Sequence, residues 1–385
     1  MRSVSIIGVG TTNFGVLEGT GIKEMASLAC NRAIVDAGID RKQVQSFYLG
    51  NYIGGILVGQ ETLAPVVACE LGLQKTTACT KVEGACCSSG IALRQAYLLI
   101  AAGVYDFVLV GGVEKMSSAS TAKNTEALAA GMDKDKEGYT GLTFPGYFGL
   151  VAQRHMHEFG TTIEQIGMVS VKNRQNAVRN PRARFRKETT LEAVLASRLI
   201  TDPLKLMDCC PIADGAAAAV LCPTEMAREF SPSPIEVLGS GHGLGQSTSY
   251  AMDGPSCTCT VYAAREAFAR AGIAPSDVDV AEVHDCFTIA EIVDTEDIGF
   301  FERGRGGPAV EEGLTRVDGR IPINPSGGLL SKGHPVGATG LGQIYELVKQ
   351  LRGEHENQVK DAEIGLAMNL GASGLVSTVT ILRRS

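Results

Sequence analysis

The chain has 385 residues, of which 44% are hydrophobic and 20% charged, with a net charge of −7; that is ample apolar material for a large core, and the acidic balance argues against nucleic acid as a partner. No apolar run reaches membrane-spanning length, and "MRSVSIIGVG" lacks the charged start and long apolar core of a signal sequence. Eleven cysteines, an odd number with no C-x-x-C spacing, are expected to be reduced thiols of a cytoplasmic protein with no metal site in this chain.

Along the chain, apolar strand runs alternate with amphipathic helical patterns, the signature of an α/β protein. "VSIIGVG" (4–10) reads as a strand, "IKEMASLACNRAIVDAGI" (22–39) as a helix stopped by Gly38, and "QSFYLGN" (45–51) as the next strand. "VEGACCSSG" (82–90) leads directly into the helical "IALRQAYLLIAAG". The stretch 117–205 is richer in Lys, Arg, Glu and Thr and reads as an inserted loop domain, with "FPGYFGLVAQRHMHEFG" (144–160) at its centre. Its densest basic run, "NPRARFRK" (180–187), suits a solvated face or an anionic ligand. "DGAAAAVLCPT" (214–224) is again a buried strand, and "EFSPSP" (229–234) a linker.

The second half repeats the first. "IEVLGSGHG" (235–243), "TVYAAREAFARAGI" (260–273) and "VDVAEVHD" (278–285) give strand, helix and strand, and "AIVDAGIDRKQV" (33–44) matches "AFARAGIAPSDV" (267–278) in pattern and offset. Internal duplication divides the chain into 1–228, including the insert, and 234–385.

Four stretches carry candidate chemistry: "GACCSSGIAL" (84–93), "EVHDCFTIAE" (282–291), "NPSGGLLSKGHPVGATG" (324–340) and "MNLGASG" (368–374). At a helix start the free N–H groups and the dipole stabilise a thiolate, which favours Cys87 over Cys86. Two ordinary buried thiols are the plainer reading of that stretch taken alone. His284 and His334 sit at a strand end and in a glycine loop, whereas His155, His157, His242 and His355 have the context of structural or surface residues.

Together these four stretches resemble the thiolases, in particular the sterol-carrier-protein-type and archaeal-type branch that carries "HDCF". The resemblance implies a five-layer αβαβα fold from two duplicated halves, and Cys-x-x-Gly spacing to Gly90 selects Cys87 as the nucleophile, with Cys86 pointing elsewhere. It further implies His334 as the base for Cys87, and Cys286 as the second acid–base thiol, since Asn369 stands where the classical branch has cysteine. His284 and His334 are expected to hold the enolate oxygen, and the backbone N–H groups of Cys87 and Gly371 the second oxyanion. Phe144, Tyr147, Phe148 and Asn369 are expected around the acyl pocket. Coenzyme A enters as a substrate, with no permanently bound cofactor. The acyl donor implied is acetoacetyl-CoA or a bulkier aromatic 3-oxoacyl-CoA of the benzoylsuccinyl-CoA kind. A homodimer or tetramer and a small zinc-ribbon and OB-fold partner subunit complete the expectation. The competing readings are a 3-oxoacyl synthase-type condensing enzyme, a thiolase-like aldolase and a non-catalytic acyl-CoA or lipid carrier subunit.

Overall fold

The computed structural model describes residues 2–247 and 254–384. The first half runs β1 (Val4–Thr11), α1 (Ile22–Ala37), β2 (Ser46–Gly50), α2 (Gly54–Val58), α3 (Leu63–Leu71), β3 (Ala78–Val82), α4 (Ser88–Ala101) and β4 (Val108–Glu114). The middle stretch follows, with α5 (Thr121–Ala129), α6 (Phe144–Phe159), α7 (Ile163–Ala177), α8 (Leu191–Ala196), β5 (Leu199–Thr201) and β6 (Leu204–Lys205), before β7 (Gly215–Pro223) and α9 (Thr224–Phe230). The second half comprises β8 (Ile235–Leu244), α10 (Thr258–Ala271), β9 (Val280–Glu282), α11 (Thr288–Ile298), α12 (Gly306–Glu311), α13 (Gly328–Lys332), α14 (Thr339–Arg352), β10 (Ile364–Gly371) and β11 (Val376–Arg384).

Nine strands form one ladder in the order β3-β2-β4-β7-β1-β8-β11-β10-β9. Read outward from its middle, the order is the same on both sides. The pair β1–β7 is antiparallel, β7–β4 antiparallel and β4–β2 parallel; β8–β11, β11–β10 and β10–β9 repeat those three relations. The halves join where Ser5 faces Glu236 and Ile6 faces Ile235.

Period-two alternation along the strands decides the layering. Ile6, Val108, Val110, Ala217 and Ala219 face inward, with Ile235, Val237, Ala367 and Leu382 of the other half, onto α4 and α14. Their neighbours Ile7, Leu109, Ala216 and Ala218 face outward beneath α1, α3 and α9. On the far side, Leu366, Met368, Val379 and Ile381 meet α6, α7, α10 and α11. Helices, half-sheet, central helix pair, half-sheet and helices give the five layers.

The duplication extends to single residues. α1 and α10 both end on left-handed glycines, Gly38 at φ +65° and Gly272 at φ +69°, followed by short turns at Arg41–Gln43 and Pro275–Asp277. In each half a strand glycine lies against a helix carbonyl, Gly10 against Ala29 and Gly241 against Ala263, where a Cβ would collide with backbone. α6 starts on Thr143, whose hydroxyl accepts from Gly146 N at 3.4 Å, and stops at left-handed Gly160.

Candidate active site

After β3 the chain makes one tight turn, Ala85–Cys87, and enters α4. Ala85 holds φ at +51°, a left-handed conformation seldom adopted by alanine. Ser88 stabilises the turn: its hydroxyl donates to Ala85 O at 2.6 Å and accepts from Gly84 N at 3.0 Å. The turn separates the two thiols. Cys87 points into the interior, its Sγ donating to Asn369 O at 3.1 Å and lying 3.3 Å from Thr378 Oγ1, and burial pushes its thiol up to about 12. Cys86 Sγ instead gathers with ring nitrogens of His284 and His334, the three atoms all within 4.8 Å of one another. The expectation that Cys87 meets the histidines while Cys86 points elsewhere is therefore reversed.

His284 and Cys286 lie on the segment between β9 and α11. The strand is shorter than expected, because pairing with β10 ends at Glu282. From there Val283 N bonds to Asn324 Oδ1 at 2.9 Å and Cys286 N to His284 O at 2.7 Å, a bend that sends both side chains into the site. The intervening Asp285 faces away and accepts from Leu329 N at 2.7 Å and Leu330 N at 3.2 Å, tying this bend to the loop that carries His334. On the other side of that loop, the Glu114 carboxylate at the end of β4 accepts from Gly337 N at 3.1 Å, Tyr52 N at 2.9 Å and Asn51 Nδ2 at 2.8 Å.

Each histidine has one ring nitrogen against a neighbouring side chain. Asn369 Nδ2 lies 3.1 Å from His284 Nδ1, and with the amide in this orientation it donates and the ring proton sits on Nε2. His334 Nδ1 lies 3.3 Å from Cys210 Sγ, and its buried Nε2 has no hydrogen-bond partner. The rings meet edge to face with centroids 5.0 Å apart. Burial lowers both: His334 falls to about 3, and His284, with a smaller push from His334, lies well below its ordinary value. Burial, then Cys87 and Glu114, raise the Cys86 thiol. The resting group is thus a neutral thiol beside two neutral imidazoles.

A cavity of about 220 Å³ opens over this cluster, lined by Cys86, Cys210, His284, Cys286, His334 and an apolar wall that includes Phe144, Phe148 and Phe287. Phe148 and Phe287 stack at 4.7 Å. Of the expected pocket residues, Phe144 and Phe148 are in the wall. Tyr147 is not; its hydroxyl donates to Ser373 O at 2.5 Å. Asn369 also lies behind the wall, holding His284. The backbone N–H groups of Cys86 and Ala372 bear on the Cys86 thiol. Ala372 is the second alanine here with positive φ, at +56°.

Cys210 escaped the sequence reading. Its N–H bonds to Cys286 O at 3.0 Å, and Ile212 pairs with His334, so the segment 209–212 forms a third side of the site. Its one signal was the adjacent cysteine pair before "PIADGAA". The basic run is also more than a solvated face. Arg184, Arg186 and Lys187 line a separate cavity with Arg174, and the Arg184 guanidinium donates to Ile212 O at the edge of the cavity over Cys86.

Residues 4–225 match the family description "Thiolase, N-terminal domain" and residues 241–384 match "Thiolase C-terminal domain-like". The chain belongs to the thiolase family. Within it, this thiolase is 45% identical over 386 residues to an acetyl-CoA acetyltransferase of Methanothermobacter thermautotrophicus, covering 100% of both chains. It is 37% identical to the benzoylsuccinyl-CoA thiolase subunit BbsB of Thauera aromatica, covering 92% of this chain and 90% of that one, and 34% identical to human sterol carrier protein 2, covering 98% and 71%. These relatives place it in the sterol-carrier-protein and archaeal branch, and its class is acyltransferase. Among solved structures, the Ltp2-ChsH2(DUF35) aldolase superposes with a TM-score of 0.87 at 28% identity over 99% of this chain and 98% of that one. Human mitochondrial 3-ketoacyl-CoA thiolase in complex with CoA shares the fold at a TM-score of 0.77 and 15% identity, over 100% and 98%. Among the described residues, no helix is long and apolar enough to cross a membrane.

Proposed function

We propose that this thiolase cleaves a short 3-oxoacyl-CoA, acetoacetyl-CoA foremost, by CoA-dependent thiolysis through an acyl-Cys86 thioester, and catalyses the reverse condensation when the next step drains the product. The observation that carries the reading is the meeting of Cys86 Sγ with His284 and His334 at the cavity floor, with Cys286 in its wall.

His334 Nε2, free of any partner, takes the Cys86 proton as the thiolate attacks the keto carbon. The N–H groups of Cys86 and Ala372 hold the oxyanion that forms. The Cα–Cβ bond breaks, and the acetyl-CoA enolate is held by His284 Nε2–H and by the proton now on His334. Cys286 protonates its carbon; in the synthetic direction the same thiol removes it. CoA–SH then attacks the acyl-Cys86 thioester, its thiol proton passing to the Cys286 thiolate, and Cys86 leaves as a thiol with the proton held by His334. Cys210, at Nδ1, orients His334 so that Nε2 faces Cys86.

The cavity is smaller than the 300–1,000 Å³ or so typical of drug-sized ligands, which suits a short acyl chain. Its three phenylalanines, and the relative named for benzoylsuccinyl-CoA, support an aromatic thioester as the second substrate to test. The basic cavity beside Ile212 suits the anionic end of CoA. Retention of Cys86 on the histidine pair favours thiolysis over an aldolase without an acyl-enzyme, and Cys286 favours it over decarboxylative condensation. The structural neighbour Ltp2-ChsH2(DUF35) aldolase, named for two components, supports a small zinc-ribbon and OB-fold subunit as partner; a homo-oligomeric assembly belongs to the same reading.

The test is CoA-dependent cleavage of acetoacetyl-CoA beside an aromatic 3-oxoacyl-CoA, with the chain alone and with its co-expressed partner. Cys86→Ala is expected to lose at least about 10³-fold in kcat, Cys87→Ala to stay close to wild type, and Arg186→Glu to raise KM for CoA with kcat unchanged. Loss on replacing Cys87 rather than Cys86 would overturn the assignment. Cleavage of neither thioester with the partner present would move the reading to a synthase or carrier. Full turnover by the lone chain would remove the partner subunit from it.

A further inference from the structure

We infer that Cys86, His284 and His334 form a binding site for a borderline-soft divalent cation, zinc above all, and that the cation closes the acyl-transfer site while it is bound. The three ligand atoms are of the types zinc selects, one thiolate and two imidazole nitrogens. They come from three segments that are separately fixed: the turn before α4, the bend after β9 and the loop before α14. Tetrahedral bonds to zinc place such atoms roughly 3.3–3.6 Å apart. The three atoms already lie within 4.8 Å of one another, near those separations.

The supporting groups match what a metal-bound imidazole needs, a partner on its other nitrogen. Cys210 Sγ stands against His334 Nδ1, and the Asn369 amide against His284 Nδ1. As placed, Asn369 presents its amide nitrogen, and its Oδ1 is buried without a partner. Rotating the amide by 180° satisfies that oxygen with Nδ1–H and frees His284 Nε2 as a ligand. His334 Nε2, 94% buried by residue and unpartnered, already points a lone pair at the position. The open cavity supplies the fourth position to water.

Binding forms the metal–sulfur bond and releases one proton from Cys86 as water leaves the aquo ion.

Cobalt(II) titration of the apo protein tests this without any reference to catalysis. One equivalent is expected to give the visible d–d bands of tetrahedral cobalt and a sulfur-to-cobalt charge-transfer band, both bleached by zinc. Cys86→Ala is expected to lose the charge-transfer band, and His334→Asn to weaken binding at least about 100-fold. Circular dichroism checks the fold of each variant; should Cys86→Ala not fold, wild type alkylated at Cys86 takes its place. Cys257→Ala is the discriminating control, because Cys257 and Cys259 form a second buried thiol pair with sulfurs 3.1 Å apart. Retention of the bands there supports the inference. Bands that survive loss of Cys86, or that vanish with Cys257, would overturn it, as would no tetrahedral cobalt at all. Tight cobalt binding without thiolysis would leave the inference standing and remove the proposed reaction instead.

Discussion

The thiols of Cys86 and Cys87 are one peptide bond apart, yet one faces the histidine pair and the other a backbone carbonyl, and the left-handed Ala85 makes the difference. With His334 lowered to about 3 and Cys86 raised, the pair rests as neutral thiol and imidazole across the neutral range. Alkylation of Cys86 by iodoacetamide is therefore expected to climb by one proton's slope from pH 6 to 9; a plateau across pH 5–7 would instead mark a standing thiolate–imidazolium pair. Cys210→Ala removes the partner of His334 Nδ1 and is expected to lower kcat roughly fivefold, the scale of one hydrogen bond of about 1 kcal/mol, while Cys210→Ser, whose oxygen accepts the same proton, restores it. The sequence reading singled out His284, Cys286 and His334, which the structure brings to one cavity, because glycines and a strand end announce them. It expected Cys87 rather than Cys86 against the histidines, because spacing and helix-start arguments take the thiol at the start of the helix, which Cys87 is, as the one that faces the site, whereas Cys86 Sγ is the one gathered with the two rings. A positive φ on alanine, which shifts the facing by one residue, leaves no mark in composition or periodicity.

Among the elements, α4 and α14 are the pair on which the site is built, and their first turns cross almost in contact. A Cβ on Gly340 would lie 2.6 Å from Gly90 N and 2.9 Å from its Cα, both backbone atoms that cannot step aside. Gly340→Ala is expected to destabilise the protein by about 1–3 kcal/mol, the usual range for overpacking, and to lower turnover as the two helix starts part. Gly21→Ala, where an added Cβ meets nothing within 4 Å, is the comparison, and equal Tm values for the two variants would refute the packing argument. Strand and helix cores were legible from their periodicity, and helix ends from Gly38 and Gly272. β9 was not: "VDVAEVHD" continues apolar past Glu282, but Val283 takes Asn324 as its partner in place of the ladder. Function bends the strand where hydrophobic pattern alone would extend it.

At the scale of the molecule, the site spans both halves, with Cys86 and Cys210 from one and His284, Cys286, His334 and Ala372 from the other. Beneath it α11 is wholly buried although it carries Glu291, Asp294, Glu296 and Asp297, an acid content that in sequence reads as a solvated face. Three have cationic or imidazole partners: Lys172 at 2.7 Å from Glu291, His155 at 3.2 Å from Glu296 and Arg303 at 3.1 Å from Asp297. Asp294 is raised by burial and then by Cys257, Asp297 and Asp285, with the backbone N–H of His284 as its counterweight. Burial also lifts Asp285 well above its ordinary value, and Glu114 and Asp297 to about 7. These native carboxyls hold protons that the unfolded chain has already released, so their contribution is complete below about pH 4 and is lost as pH rises through their native values. The two buried histidines act in the opposite sense: their contribution is complete above about pH 6.5 and is lost toward pH 3. Above pH 7 the histidines are neutral in both states and the acids alone decide. The Tm is therefore expected to fall steadily from pH 7 to 8.5, below the range where the buried thiols join in. Asp294→Asn, which has no charge to develop, is expected to flatten that fall and raise the Tm at pH 8.5 by on the order of 2 °C, with little change at pH 5. A wild-type Tm that is level or rising over this interval, or an Asp294→Asn curve parallel to it, would mean that the acids beneath the site are ionised and paired in the native protein.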